Sequence, residues 1–447
     1  TDNCPISQIY MKEIDGLNYV KLDLLKLDTI ELISNTCEMA GIPMLLPDDL
    51  DINDVNVWNS MRDDTTAIFQ WEGKTGDDYI KKLLSDKNIR KFQELDENVD
   101  RMTLLSIGNS AIRPAGASYR EDLANGVIRS TGSKPIDDFL SSTFGYLVFQ
   151  CQIIDFLHLY CGFTMGEADI VRRGFAKKTG TDQYIPIIKN GGYLTDKSQH
   201  YIDGYIKTMK DKYGIEETKS EEDIVAFIKV IEDASSYLFS LNHSQPYSYE
   251  GYTCGYLRYH YPVEFLTCAL NINKDNEDKT IALTAYARKQ GIKISSVRFR
   301  HSVFNYSCDP TERIIYKGLA SIKFMNEAVS QELYNLRDNK YDNFIDLLKN
   351  IEQTSCNSRQ LEILLKLGFF EEFGEINQLL KIVEIYNFFK KGEAKQLSKN
   401  KIPEWLPEYL LKKHCTETEK QYKILNCVIL LKEVLEAVQY PKTTLLD

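Results

Sequence analysis

The segment "FTMGEADIVRRGFAKK", residues 163–178, constrains the fold of this chain more than any other. Thr164 and Glu167 stand at the T-x-x-E spacing of a capping box, which predicts a helix start. The helix that follows carries Arg172, Arg173, Lys177 and Lys178, and Arg173 and Lys177 are four apart, hence neighbours on one face. Two adjacent arginines with a lysine one turn on suit a polyphosphate, because guanidinium forks grip oxygens and the ammonium adds a point charge. The same pattern also fits a solvated basic face.

A second segment, "LNYVKLDLLKLDTIEL" at 17–32, sets charge into an apolar run. Read as a strand, it puts Val20, Leu22 and Leu24 on one face and Lys21 and Asp23 on the other. Such a pair fits an edge strand with one wet face, or a metal-binding carboxylate beside a lysine that faces an anion. Asp28 and Glu31 then offer a capping box for a helix running to about residue 40.

Beyond these segments the pattern is mostly helical. "GIPMLLPDDLDIND" (41–54) reads as a linker, "TTAIFQWEG" (65–73) as a short apolar segment closed by glycine, and 74–100 as a charged helical stretch. The Gly/Ser/Pro-rich stretch 113–135 reads as loop, 136 to about 270 as helical, 291–299 as alternating, and the tail from about 325 as amphipathic helix. A length of 447 residues allows two to four domains. No apolar run reaches the roughly 18 residues of a membrane span. The net charge of −11 disfavours wholesale binding to nucleic acid, but basic residues confined to one groove would still serve. Ten cysteines without a CxxC pair or a zinc-type cluster read as reduced thiols in a cytoplasm. The absence of a signal peptide and a threonine at position 1 suggest a processed chain, a fragment or one piece of a larger protein.

Two further segments carry candidate chemistry. In "SLNHSQPYSYEGYTCGYLRYHYPVEF" (240–265), His243 sits in a polar turn, and Tyr249, Tyr252, Tyr256 and Tyr259 follow helical spacing. That stripe fits a buried helix face, or a platform on which a base or sugar stacks. "YKGLASIKFMNEAV" (316–329) has the flanks of a helix-hairpin-helix module without the glycines of its hairpin.

Taken in order, the segments resemble the C-family replicative DNA polymerases of bacteria, the polymerase III alpha subunits. "VKLDLLKLDTIELI" is similar to that family's K-F-D-F-L-G-L, "DTTAIFQWEG" to G-V-F-Q-L-E-S, and "IRPAG" to Y-R-P-G-P. "FGYLVFQCQ" is similar to Y-G-V-I-V-Y-Q-E-Q, "GFTMGEADIVRRGFAKK" to G-Y-S-L-G-E-A-D-L-L-R-R-A-M-G-K-K, and 242–265 to the K-S-H-S-A-A-Y stretch running into H-Y-P-A-E-F. The match is collinear over roughly residues 8–375.

The resemblance implies a chain that is mainly α with small α/β parts. Residues 1–40 would end a nucleotidyltransferase-like palm and 41–275 would form large helical fingers. Residues 276–375 would hold a small α/β and helix-hairpin-helix-like region, and 376–447 a helical C-terminal region. It implies that Asp23 helps bind catalytic Mg2+. Lys21, Arg113, Arg172, Arg173 and Lys177 would face the incoming triphosphate, and His243 would lie against the nucleotide sugar. The implied partners are primer–template DNA, deoxynucleoside triphosphates and a chain supplying the rest of the palm, with a sliding clamp as a further candidate. The implied setting is cytoplasmic, in a bacterium or encoded by its phage; no membrane association is expected.

The departures are specific. The family's P-D-x-D-x-D-F stretch, which carries two further palm aspartates, occurs nowhere in the 447 residues. Leu241 replaces the lysine before S-H-S, Cys151 replaces the glutamate of Y-Q-E-Q, and "KFMN" replaces the hairpin glycines. "QYKIL" (421–425) is a weak candidate for a clamp-binding peptide. The expected function is therefore part of a template-directed DNA polymerase that needs a second chain or a further N-terminal part. The alternative is a non-catalytic, polymerase-derived protein that binds DNA or replication partners.

Overall fold

The computed structural model describes residues 8–10, 13, 14, 17, 27–177, 196–235, 238–390, 394–418 and 420–437; Lys21 and Asp23 lie outside them. The chain is mainly helical with two small sheets. The first part runs through α1 (Asp28–Ala40), α2 (Val55–Asp63), α3 (Lys74–Leu83), α4 (Asp86–Gln93), α5 (Arg101–Ala111) and α6 (Arg120–Ala124). Then come α7 (Lys134–Phe139), α8 (Gln150–Cys161), α9 (Met165–Lys177), α10 (Asp196–Thr208) and α11 (Glu217–Ser235). Next are α12 (Leu241–His260), α13 (Pro262–Ile272) and α14 (Glu277–Lys289).

The long helix α12 organises this part. Ser244, Ser248, Gly251 and Gly255 recur at helical spacing, and these small residues let neighbouring elements approach closely. A Cβ on Gly255 would lie 2.5 Å from Met61 Sδ of α2. On the α5 side, Asn109 Nδ2 donates to Ser248 Oγ at 2.6 Å, and Ser244 Oγ donates to the Ser106 carbonyl at 2.5 Å. Arg258 is only 1% exposed and donates to the carbonyls of Thr66 and Ser60, with its guanidinium over the Tyr286 ring. It ties the 60–66 turn to α12 and α14. The core around α12 takes in Leu32, Trp58, Trp71, Leu105 and Leu266, so α1 shares it with α12 and α13. A second core, with Phe156, Tyr205 and Phe227, unites α7 to α11.

The remaining chain holds β1 (Lys293–Ser295), β2 (Ser307–Asp309), β3 (Ile314–Tyr316), α15 (Glu327–Asn335), α16 (Phe344–Ile351), α17 (Ser358–Lys366) and α18 (Ile376–Phe389). In the first sheet, ordered β1-β3-β2, β1 runs parallel to β3 and β2 antiparallel to it. Phe299, Leu347, Leu365 and Phe370 centre the core of the helical region that follows. The last part contains β4 (Ala394–Ser398), α19 (Glu408–His414), β5 (Cys415–Thr418), β6 (Gln421–Leu425) and α20 (Cys427–Ala437).

Three local expectations change. The C-terminal helical region also carries an antiparallel sheet ordered β4-β6-β5. "QYKIL" is its middle strand, hydrogen-bonded on both sides with Ile424 buried, so it is not a free peptide that could dock into a partner. The 113–135 stretch, expected as loop, holds the short helix α6. Asp28 is the first residue of α1 rather than its cap; the N-cap is Leu27 and forms no side-chain cap bond. The far end of α1 follows expectation, with Gly41 at φ +68° donating back to the carbonyls of Cys37 and Glu38.

Candidate functional site

Phe239 joins segments that are far apart in sequence. It forms a parallel bridge with Phe149, and the Gln150 N–H donates to its carbonyl at 3.0 Å. Gln150 Nε2 donates to the Leu238 carbonyl at 2.7 Å, while Gln150 Oε1 accepts from an Arg172 terminal nitrogen at 2.9 Å. The Arg113 guanidinium lies over the Phe239 ring, 4.9 Å from its centre. His243, exposed in the first turn of α12, has its ring 6.3 Å from Phe239 and 6.0 Å from Tyr247. Tyr247 meets Phe69 edge-on at 5.2 Å. Arg113 and His243, which the sequence reading selects one by one, thus adjoin one aromatic ring, and Arg172 is linked to the same segment through Gln150.

Local sequence sets each of these directions. Pro114 forces Arg113 out of the helical region, to φ −71° and ψ 161°, so the chain leaves α5 extended. An Arg113 terminal nitrogen donates to Gln70 Oε1 at 2.9 Å. Gln70 itself has φ +69° and Ala67 φ +58°, left-handed conformations that non-glycine residues rarely take and that cluster at functional loops. The Nε of half-buried Arg113 is buried and has no hydrogen-bond partner among the described residues. A buried donor of this kind is uncommon in folded chains.

The capping box that opens α9 forms as expected. Glu167 Oε2 accepts from the Thr164 N–H at 2.9 Å, and Thr164 Oγ1 accepts from the Glu167 N–H at 3.3 Å. The arginines do not point freely into solvent. Arg172 donates through Nε and a terminal nitrogen to Asp169 Oδ1, at 3.0 and 2.9 Å. Arg173 Nε donates to Asp169 Oδ2 at 2.9 Å, and its terminal nitrogen lies 2.6 Å from the same oxygen. The hydrogen bonds from Arg172 and then Arg173 hold the Asp169 carboxyl below the usual carboxylate range. The Arg172 side chain is 18% exposed and the Arg173 side chain 64%, so Arg173 keeps the more open fork. Lys177 is the last residue of α9, and its side chain is not among those described.

The tyrosine stripe is largely structural. Tyr252 is fully buried, donates to the Asp51 carbonyl at 2.6 Å and packs against Trp58, while Tyr259 is exposed. The aromatic surface beside His243 comes instead from Phe239, Tyr247 and Phe69. Asp169 was legible by its spacing, three and four residues before the arginines. Gln70, Gln150 and Phe239 were not, because their contacts cross long stretches of chain.

Among the described residues, no group of three or more His, Cys, Asp or Glu could hold a metal ion. No helix there is long and apolar enough to cross a membrane. In the hairpin before α15, Phe324 takes φ +74°, a geometry that costs a non-glycine residue about 1–2 kcal/mol. Its carbonyl accepts from Gln360 Nε2 at 2.8 Å, the Arg359 guanidinium lies 3.7 Å over its ring, and Asn326 caps α15. The turn therefore persists without glycine.

Comparison with known sequences bears on both regions. Residues 26–184 match the family described as the bacterial DNA polymerase III alpha subunit finger domain, and residues 291–379 match the helix-hairpin-helix motif. Over 384 residues the chain is 23% identical to a DNA polymerase III subunit alpha of Xylella fastidiosa, covering 83% of this chain and 29% of that protein. The subunit of Treponema pallidum is 26% identical over 375 residues, with 82% and 29% covered. That of Thermus aquaticus is 24% identical over 399 residues, with 85% and 29% covered. The chain spans less than a third of the length of these relatives.

Proposed function

From a chain that carries the finger domain and helix-hairpin-helix region of the bacterial DNA polymerase III alpha subunit, we propose that it supplies the incoming-nucleotide site of a template-directed DNA polymerase. The observation that carries this reading is that Arg113 and His243 flank the Phe239 ring while Arg172 is tied through Gln150 to the Leu238 and Phe239 carbonyls, all from distant parts of the chain.

In this reading Arg113 and the open fork of Arg173 bind triphosphate oxygens. Arg172 and Arg173 share the single carboxylate of Asp169, so the cluster keeps a net positive charge within an acidic chain. Asp169 spreads the two arginine forks in fixed directions before a nucleotide arrives. Lys21 and Lys177 would add charge at the triphosphate, and His243 would rest against the sugar. Mg2+ is the proposed cofactor with Asp23 as one ligand; a magnesium ion needs several oxygen ligands in near-octahedral array, so one carboxylate does not suffice. The other palm carboxylates must come from residues outside this sequence. The working division is 1–40 as the end of the palm, 41–275 as fingers, 276–375 as the helix-hairpin-helix-like region and 376–447 as the C-terminal region. The partners follow as primer–template DNA, deoxynucleoside triphosphates and the polypeptide that completes the palm, in a bacterial cytoplasm.

A second reading, a polymerase-derived protein that binds DNA without catalysis, draws on Cys151 and Leu241. Both line one cavity of about 450 Å³ with Asp155, Gln245 and Tyr249, where the family places a glutamate and a lysine. Complementation separates the two readings. The purified chain with magnesium and deoxynucleotides should not extend a primer. Adding a polypeptide that bears the P-D-x-D-x-D-F carboxylates should restore extension, and Asp23→Asn should abolish the restored activity without loss of fold. Robust extension by the lone chain would contradict the metal account, and failure to complement would favour the second reading.

A further inference from the structure

Away from the nucleotide site, three sulfur atoms meet from three elements. Met39 lies in the last turn of α1, Cys268 in α13 and Cys308 in β2. Met39 Sδ is 3.6 Å from Cys308 Sγ and 4.0 Å from Cys268 Sγ. Sulfur–metal bonds of about 2.3 Å in a trigonal array put the sulfurs about 4.0 Å apart, so Cys268 already stands at the spacing of a shared ion, whereas Cys308 lies closer and must draw back slightly.

The surroundings fix the donors. Asn271 Nδ2 donates to the Tyr306 carbonyl at 3.1 Å and Asn271 Oδ1 accepts from the Tyr306 N–H at 2.7 Å, which locks β2 to α13. Cys268 is 2% exposed, whereas Met39 is 40% exposed and gives an ion a way in. We propose that Met39, Cys268 and Cys308 form a binding site for a soft monovalent cation, copper(I). Thioether and thiolate donors select such an ion over zinc, whose protein ligands are thiolate, imidazole and carboxylate.

Binding releases one proton from each thiol to solvent and forms two thiolate–copper bonds and one thioether–copper bond; no electron moves. Burial raises both thiols, Cys268 to about 11, against hydrogen bonds with Thr36 and Thr267 that lower them. The negative charge of Glu264 acts on both cysteines, that of Glu38 on Cys268 and that of Asp309 on Cys308. Their charge opposes bare thiolates and favours a cation between them.

The test is anaerobic competition of the full chain against the copper(I)–bicinchoninate complex, with X-ray absorption on the bound form. The expected result is one tight equivalent with three sulfur neighbours near 2.3 Å. Cys308→Ser should remove that equivalent. Met39→Leu, which keeps both thiols and the packing volume, should weaken it at least about tenfold, the loss that even an outer-shell change brings. Cys356→Ser, a thiol elsewhere in the fold, should bind as wild type does. Circular dichroism of each variant separates lost binding from lost fold. Copper(I) binding that is the same in Cys308→Ser and Met39→Leu as in the wild type would overturn the proposal and leave the three sulfurs as packing alone.

Discussion

Arg172 and Arg173 are adjacent in sequence but not equivalent in space. Arg172 divides its donors between Asp169 and Gln150, whereas Arg173 leaves most of its surface to solvent. Replacing Arg173 with alanine should weaken nucleotide use more than template binding. One charge-assisted bond is worth roughly 1.5–3 kcal/mol, or about one to two decades in apparent affinity. Lysine should rescue only in part, since it lacks the bidentate fork. Arg172→Ala should also lower thermal stability, because Gln150 Oε1 and Asp169 Oδ1 lose the donors that Arg172 supplies, while Arg173 still holds Asp169 Oδ2. Asp169→Asn reports through pH. The Asp169 carboxyl is held low in the fold, so its stabilisation is present above the unfolded value near 3.9 and fades as pH falls through the folded value. Wild type and Asp169→Asn should therefore differ by no more than about 1 kcal/mol at neutral pH. Their difference should shrink in urea melts taken below about pH 4. A difference that persists at low pH would point to packing rather than charge. At this scale the sequence disclosed the arginines, since charge type and spacing are local. It hid Phe239 and Gln70, whose importance comes from contacts made only after folding.

At the scale of elements, the helices were legible because apolar period and caps are local signals. The Thr164–Glu167 box formed and Gly41 ended α1. The sheet β4-β6-β5 was not legible, since its strands are four or five residues long and each sits beside longer helical periods. Helix α12 offers the sharpest test of packing. Gly255→Val would drive its side chain into Met61, and overpacking of this kind costs typically 1–3 kcal/mol. Arg258→Ala would leave the Thr66 carbonyl without its side-chain donor, at about 1–3 kcal/mol, while the Ser60 carbonyl keeps the Asp64 N–H. Both variants should lower the midpoint of chemical unfolding, and a melt unchanged in either would refute the close approach or the tether inferred there. Phe324→Gly should do the reverse and raise stability by up to about 1 kcal/mol through relief of the left-handed strain, less whatever the Arg359 stacking contributes.

For the whole molecule, the order of segments told more than any one motif. Six weak similarities in one order pointed to a polymerase family, and the finger-domain and helix-hairpin-helix families match residues 26–184 and 291–379. Composition alone pointed nowhere so specific. The fold then brought residues 113 and 243 to one ring and tied 172 to the same segment through Gln150, which no pattern in the sequence could announce. The central claim is that this gathering binds the incoming nucleotide. Its most direct test is a titration of deoxynucleoside triphosphate at fixed primer–template in the complemented assembly, comparing wild type with Arg113→Ala. The half-saturating nucleotide concentration should rise about tenfold to a hundredfold, with primer–template affinity unchanged. An unchanged half-saturating concentration together with an unchanged maximal rate would contradict the claim.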